Sequence, residues 1–78
     1  MTKYRWDSEL DSTGLLCPLP VLKIRKKLKE MQKGDILRVM ADDPAAIVDI
    51  PHYCHESGDK ILKQDISDEE QIYLLMKM

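Results

Sequence analysis

Residues 14–31 read GLLCPLPVLKIRKKLKEM, and this stretch decides the fold. A glycine followed by prolines at positions 18 and 20 is typical of a turn that leads into a helix. Beyond the prolines, apolar residues recur at steps of three and four and form one stripe, which consists of Val21, Ile24, Leu28 and Met31. The stretch predicts an amphipathic helix with Cys17 as its N-cap and Pro18 at its first position.

The segments on either side of this helix have the patterns of strands. Tyr4, Trp6, Ser8 and Leu10 alternate with polar residues, which predicts a half-buried strand that ends in the turn at residues 11–14. Gly34 is expected to end the helix. Residues 36–41 form a nearly continuous apolar run, typical of a more buried strand.

The second half of the chain predicts one more helix and a hairpin. Asp42-Asp43-Pro44 is typical of a helix start, with an acidic N-cap and proline at the first helical position. Pro51 should kink or divide this helix near Ile50, and Gly58 should end it. Two apolar segments, 61–66 and 72–78, then predict strands joined by a hairpin loop at residues 67–70.

The predicted order of elements is therefore β-α-β-α-β-β. Its first β-α-β unit should be parallel and its final strand pair antiparallel. We expect an α+β fold in which a four-stranded mixed sheet carries both helices on one face, a two-layer α/β sandwich of one domain over residues 1–78. The other sheet face would lack a helix cover and could offer apolar residues to a partner.

Composition argues against several classes of function. The 78 residues include 12 Lys and Arg and 14 Asp and Glu, a net charge of -2, so we expect no direct binding of nucleic acid. No apolar run approaches the roughly 20 residues that a membrane helix needs. The charged N-terminal segment has no features of a signal peptide, and we expect a cytoplasmic protein.

Cys17 is the residue most suited to chemistry. A thiolate is the nucleophilic form of cysteine, and a position at a helix N-terminus lowers the pKa of a thiol. Since Pro18 and Pro20 lack N–H groups, the amides of Leu19 and Val21 should lie nearest the sulfur. The alternative is that Cys17 is a small buried apolar residue.

A lone thiolate of this kind could carry sulfur. Pro20 stands where a CxxC motif would have its second cysteine, so Cys17 has no resolving thiol beside it. It could accept a sulfane sulfur as a persulfide and lose it again to the thiolate of a partner. Spacing alone does not distinguish this role from that of a redox-sensing cysteine.

The stretch from Gly14 to Pro20, followed by Val-Leu-Lys, resembles the CPxP signature of the TusA (SirA-like) sulfur-carrier family. Asp42-Asp43-Pro44, Asp49-Ile50-Pro51, Cys54 and Gly58 also resemble that family's pattern, in order and over nearly the whole chain. The resemblance implies the βαβαββ sandwich and a sulfur-bearing Cys17. It implies a sulfurtransferase in the sense of a persulfide relay, without turnover chemistry of its own. The motif residues at the helix start are Gly14, Pro18, Leu19 and Pro20.

The resemblance also implies partners. Sulfur would come from a cysteine desulfurase or another donor and pass to a downstream acceptor protein, for tRNA thiolation or related sulfur trafficking. We expect no cofactor, because the cargo is the sulfur atom itself, and a monomer that does not associate with membranes. Lys23, Lys26 and Lys27 could dock these partners, or simply form a solvated helix face.

Other residues have simpler interpretations. The apolar spacing around Cys54 indicates a packed structural cysteine. His52, Cys54 and His55 do not suffice for a metal site, because structural zinc usually needs four convergent ligands. Asp11, Asp42 and Asp43 should be turn and cap residues.

Three other functions remain in competition at this point. The chain could be a non-catalytic interaction or regulatory module that uses the open sheet face, with Cys17 incidental. It could be a thiol redox sensor that uses the same cysteine. A small RNA-binding sandwich is disfavoured by the negative charge and the absence of phenylalanine.

Overall fold

The structure, a computed structural model, describes residues 5–78. Its elements follow the predicted order β-α-β-α-β-β. They are β1 (Ser8–Asp11), α1 (Leu19–Glu30), β2 (Ile36–Ala41), α2 (Ala46–Ser57), β3 (Lys60–Ile66) and β4 (Gln71–Met76).

The four strands form one mixed sheet in the order β1-β2-β4-β3. β1 and β2 pair in parallel, and β4 pairs antiparallel with both β2 and β3. The hairpin loop closes where it was predicted, with the Ser67 N–H donating to the Glu70 carbonyl at 2.8 Å. The predicted two-layer sandwich is confirmed, and the sheet order adds that β4 lies between β2 and β3.

The core lies between the sheet and the two helices. In β2 the buried residues Leu37, Val39 and Ala41 alternate with partly exposed ones, as expected for a strand that is covered on one face. The apolar stripe of α1 packs on this covered face, as predicted. One cluster joins both helices to the sheet: Ile24, Leu28, Met31, Leu37, Val39, Ala41, Ala46, Ile50, Cys54, Tyr73 and Leu75.

The first strand is shorter than the prediction. β1 begins at Ser8, and Trp6 precedes it, while Tyr4 lies outside the described residues. The carboxylate of Asp7 accepts a hydrogen bond from the N–H of Ile36 at 2.8 Å. A side chain thus takes the amide that a preceding strand residue would have paired, and the regular ladder begins after it.

The second helix begins two residues later than predicted. Asp43 accepts the Ala45 N–H at 3.3 Å through its carboxylate and the Ala46 N–H at 2.9 Å through its carbonyl, so a turn precedes the helix. Pro51 lies inside α2, which is one helix of 12 residues and ends at Gly58, as predicted, in the left-handed conformation. No helix in residues 5–78 is long and apolar enough to cross a membrane.

The sheet face opposite the helices is partly covered by its own side chains. The Arg38 guanidinium lies 5.1 Å from the ring centroid of Trp6 and 3.3 Å from the Glu9 carboxylate. Leu74, on the same face, is only 5 % exposed. Half-buried apolar residues of β2 and β4 also lie on this face, so it retains some apolar surface, as expected from the absence of a helix cover.

Candidate functional site

Cys17 is exposed and lies in the loop that leads into α1. The helix starts one residue later than predicted, with Pro18 as N-cap and Leu19 as its first residue. The Leu19 N–H donates to the Leu16 carbonyl at 2.9 Å. The prediction that this amide would be free beside the sulfur is therefore wrong.

Two aspartates that follow β2 hold the loop before α1. The Gly14 N–H donates to the Asp42 carboxylate at 2.9 Å, and the Cys17 N–H donates to the Asp43 carboxylate at 2.7 Å. Both hydrogen bonds follow from topology, because the C-terminal ends of the parallel strands β1 and β2 lie at the same edge of the sheet. The starts of both helices meet at this edge. Asp43 forms a turn, as predicted, but the prediction of an acidic N-cap is wrong, because the N-caps are Pro18 and Ala45 and neither helix has a side-chain cap bond.

A buried hydrogen-bond chain fixes Asp43 to the sheet. The Gln71 side-chain amide donates to the Asp43 carbonyl at 2.8 Å, and the Tyr73 hydroxyl donates to the Gln71 carbonyl oxygen at 2.6 Å. Both side chains belong to β4 and are buried. The backbone of Cys17 is thus anchored through Asp43 to the central part of the sheet, which limits its movement.

The Cys17 thiol opens into a groove between the two helices. The groove has a volume of about 370 Å³ and is mainly apolar at its base. One wall comes from the α1 side and the other from a single face of α2, where residues recur at steps of three and four. The lining residues are Cys17, Pro18 and Val21 on the first side, and Asp49, His52, Tyr53 and Glu56 on the second.

The carboxylates around Cys17 act against ionisation of its thiol. A hydrogen bond to Asp49 is the largest reason why the pKa of Cys17 lies above the ordinary value of 9.0. Partial desolvation raises this pKa further, as do the negative charges of Asp49 and Asp43. The prediction of a lowered pKa is wrong: Pro18 and Pro20 have no N–H, the Leu19 N–H is occupied, and the nearby carboxylates oppose ionisation of the thiol.

Comparison with known proteins agrees with this arrangement. The family model described as "Sulfurtransferase TusA" matches residues 8–77. The chain belongs to the TusA sulfurtransferase family. A crystal structure of a SirA-like protein from Desulfitobacterium hafniense is similar in fold, with a TM-score of 0.74 and 21 % sequence identity over 90 % of this chain and 95 % of that one. The resemblance expected from the CPxP motif is thereby confirmed at the level of the family and the fold.

The second cysteine of this TusA-family chain, Cys54, packs in the hydrophobic core. Cys54 is 3 % exposed and belongs to the core cluster, as predicted. Burial raises its pKa from 9.0 to about 11. His52 and His55, on either side of Cys54, point to solvent, and no group of three or more potential metal ligands comes together in the described part of the chain.

The buried thiol gives a testable dependence of stability on pH. The Cys54 thiol ionises near its ordinary pKa of 9.0 in the unfolded chain but only at about 11 in the folded one. The stabilising contribution is therefore complete below pH 9 and is lost as pH rises through about 11. We expect the free energy of unfolding, measured in urea, to fall over this interval. The fall should be smaller in Cys54→Ala, and identical pH curves for the two proteins would contradict the expectation.

The lysines predicted for docking lie on the outer surface of α1. Lys23 and Lys26 are exposed and Lys27 is half-buried, and all three line a second groove of about 240 Å³ together with Leu10 and Glu30. They do not line the groove of Cys17. The structure thus separates a basic surface on α1 from the acidic surroundings of the thiol.

Five of the exposed large apolar side chains lie at the helix starts of this TusA-family domain, whereas Trp6 lies on the open sheet face. Leu16 is 67 % exposed and Val48 is 69 % exposed. The other exposed apolar residues in the first turns are Leu19, Leu22 and Ile47. Cys17 therefore lies within an apolar surface, which we call the apolar collar and define by these five residues.

Sequence reasoning missed Asp49, which lines the groove of Cys17 from the other helix. The available signal was topological: a parallel β-α-β unit brings two successive helix starts to one edge of the sheet. Asp49 lies in the first turn of the second helix and could have been placed near Cys17 on that ground. The sequence analysis used Asp49 only as part of the Asp49-Ile50-Pro51 segment that resembles the family's pattern.

Proposed function

We propose that this protein is a sulfur carrier that holds sulfur as a persulfide on Cys17. It receives the sulfur from a cysteine desulfurase or another donor and passes it to an acceptor protein. The observation that carries the proposal is the exposure of Cys17 at an anchored loop between two helix starts, while Cys54 is buried. Membership of the TusA sulfurtransferase family supports the reaction class.

The proposed chemistry needs no cofactor and no external oxidant or reductant. The Cys17 thiolate attacks the outer sulfur of a persulfide on the donor, a new S–S bond forms, and the donor's S–S bond breaks. The electron pair leaves on the donor sulfur, which is protonated to a thiol. In the second half of the cycle an acceptor thiolate attacks the outer sulfur on Cys17, which leaves as the thiol.

The burial of Cys54 supports a carrier rather than a dithiol enzyme. A second exposed thiol beside Cys17 would attack the persulfide, form an internal disulfide and release the cargo as sulfide. In the described chain the other cysteine lies in the core, with a pKa near 11. A persulfide on Cys17 therefore depends on a partner for its release.

The competing functions make different demands on Cys17 and on the surface around it. A redox sensor would use the same cysteine but would form a sulfenic acid with peroxide instead of taking up sulfur. An interaction module that uses the open sheet face would not need Cys17. The exposed apolar collar lies at the helix starts, as Cys17 does, and exposed apolar surface is typical of a contact surface. We therefore propose that the apolar collar is the contact surface for donor and acceptor.

The proposal is tested by the intact mass of the protein after incubation with a cysteine desulfurase and cysteine. We expect a gain of one sulfur atom, which is removed by a reducing agent. A sample without desulfurase serves as the control for sulfur that is merely adsorbed. No gain with several desulfurases and with other sulfane-sulfur donors would overturn the proposal.

We also propose that Lys23, Lys26 and Lys27 guide an acidic partner toward Cys17. Reversing the charges in Lys26→Glu with Lys27→Glu should slow sulfur uptake about tenfold at low salt, because charge steering acts on the association rate. The rate of the wild type should fall with added salt, and that of the variant should not. The measurement is the initial rate of sulfur uptake against ionic strength.

A matched control for this charge reversal is available on β3. Lys60 and Lys63 are exposed on β3, which is the outermost strand on the side of the sheet away from β1. Reversing both changes the net charge by the same amount and should leave the uptake rate near that of the wild type. Equal rates for the two double variants would show that the α1 lysines are only a solvated surface.

The place of the protein in metabolism is part of the proposal. Family membership supports delivery of sulfur for tRNA thiolation or related sulfur trafficking in the cytoplasm, by a monomer that shuttles between partners. Loss of thiolated tRNA in a deletion strain, restored by wild-type protein, would support the tRNA branch. Normal tRNA thiolation in the deletion strain would assign the protein to another sulfur route.

A further inference from the structure

The groove of Cys17 has two carboxylates in one wall and no lysine or arginine in its lining. Asp49, His52 and Glu56 follow one another at steps of three and four on α2 and face the loop that carries Cys17. Tyr53 lies between them, and Asp43 approaches from the turn before the helix. On the α1 side the lining residues Pro18 and Val21 carry no charge.

Asp49 differs from the other residues of this wall because it affects the ionisation of the Cys17 thiol. Its carboxylate lines the same groove as the Cys17 thiol, and its interaction with the thiol opposes the formation of a thiolate and raises the pKa of Cys17. Asp43 adds its charge, but its carboxylate oxygens already accept the Cys17 and Ala45 amides. In the free protein the thiol is thus kept protonated, and a protonated thiol reacts poorly with electrophiles and oxidants.

We propose that Asp49 makes Cys17 selective for a partner protein that brings a lysine or arginine into the groove beside its own sulfur-bearing cysteine. This inference rests on the proposed function and specifies the partner's chemistry. The groove carries carboxylates and lies beside the apolar collar, and a partner's lysine or arginine would complement the charge of the groove. A carrier that was reactive in solution would lose its thiol to small molecules before it met the donor.

The proposed step is balanced within the complex. The partner's cation pairs with Asp49, the carboxylate no longer opposes ionisation of the thiol, and the Cys17 proton leaves to water. The thiolate attacks the outer sulfur of the donor persulfide, and the donor sulfur leaves with the electron pair of the broken S–S bond and takes up a proton. One thiol and one persulfide are consumed and one of each is formed.

Methanethiosulfonate reagents test the inference without knowledge of the partner. A thiolate attacks their sulfur, forms a mixed disulfide and expels methanesulfinate, and the reagents exist with trimethylammonium and sulfonate groups of similar size. We expect Cys17 of the wild type to react about tenfold faster with the cationic reagent than with the anionic one. Asp49→Asn should reduce this ratio about fivefold and should raise the rate with the uncharged methyl reagent at neutral pH.

The pH profile distinguishes this role from a structural one. In Asp49→Asn the midpoint for modification by the uncharged reagent should move to lower pH, because the carboxylate no longer opposes ionisation. Asp49→Glu keeps the charge and should retain most of the wild-type charge ratio. Glu56→Gln removes a carboxylate from the same groove wall that does not act on the thiol, and its midpoint should coincide with that of the wild type. Circular dichroism of each variant checks that the helices are intact.

Failure of the inference and failure of the proposed function give different results. A charge ratio or a pH midpoint in Asp49→Asn equal to that of the wild type overturns the inference, whether or not the protein takes up sulfur. Absence of sulfur uptake by the wild type overturns the proposed function and leaves the reagent measurements interpretable. Support for the inference requires that both the ratio and the midpoint change as stated.

Discussion

Cys17→Ser should gain no sulfur when it is incubated with a cysteine desulfurase and cysteine. Serine preserves the size of the side chain, but its oxygen does not form a persulfide. The backbone contact of Cys17 with Asp43 uses the amide, so the loop should keep its conformation in this variant. The measurement is the intact mass under conditions that load the wild type completely.

Cys54→Ala is the matched control for this experiment. It removes the other thiol, which is buried, and should retain a full gain of one sulfur atom together with a reduced stability. Sulfur uptake by Cys17→Ser equal to that of the wild type would contradict the assignment of the cargo to Cys17. Loss of uptake in Cys54→Ala, in a protein shown to be folded, would contradict it as well.

Ile24→Ala should be the most destabilising simple change in α1. Ile24 is completely buried in the cluster that joins α1 to the sheet, and shortening a buried aliphatic side chain to alanine costs about 2–5 kcal/mol. Domains of this kind have a total free energy of unfolding of about 5–15 kcal/mol, so a large part of it would be lost. The change in the urea midpoint measures the effect.

Leu22 provides the comparison within the same helix. It is 50 % exposed, and Leu22→Ala should change the free energy of unfolding by no more than about 0.5 kcal/mol. The same variant should slow sulfur uptake, because Leu22 belongs to the apolar collar. Equal urea midpoints for Ile24→Ala and Leu22→Ala would contradict the division of α1 into a core face and a contact face.

Most of the fold could be predicted from the sequence because local patterns and tertiary packing agree. The apolar stripe of α1 faces the sheet, β2 has the predicted bounds 36–41, and Gly58 ends α2. Each of these signals comes from residues that are neighbours in the sequence, such as a period of 3.6 or a residue able to adopt positive φ. The predicted two-layer sandwich followed from them, whereas the predicted family came from the resemblance of residues 14–20 to the CPxP signature.

The first residues of strands and helices were less predictable, because side chains compete with backbone groups for hydrogen bonds there. Asp7 takes the amide of Ile36 and shortens β1, and Asp43 takes the amide of Ala45 in a turn that delays α2. Aspartate can form a strand end, a turn or a cap with the same oxygens. The choice among these depends on neighbours that are distant in sequence.

The protonation state of Cys17 could not be predicted from its own segment. A helix start lowers the pKa of a thiol when free amides face it, and this general rule led to the wrong direction here. The deciding group is Asp49, more than 30 residues further along the chain, and it reaches the thiol only because the parallel strands bring both helix starts to one edge. The location of the candidate site followed from sequence, whereas its electrostatics followed from topology.

The most direct test of the central claim follows one labelled sulfur atom through the protein. Purified protein is loaded from labelled cysteine by a desulfurase, freed of the donor, and mixed with an acceptor protein that has a reactive cysteine. We predict one label for each chain after loading, and its transfer to the acceptor without added reductant as the label on Cys17 disappears. Label that stays on the chain in the presence of acceptors, or that leaves only on reduction, would contradict the account of a carrier.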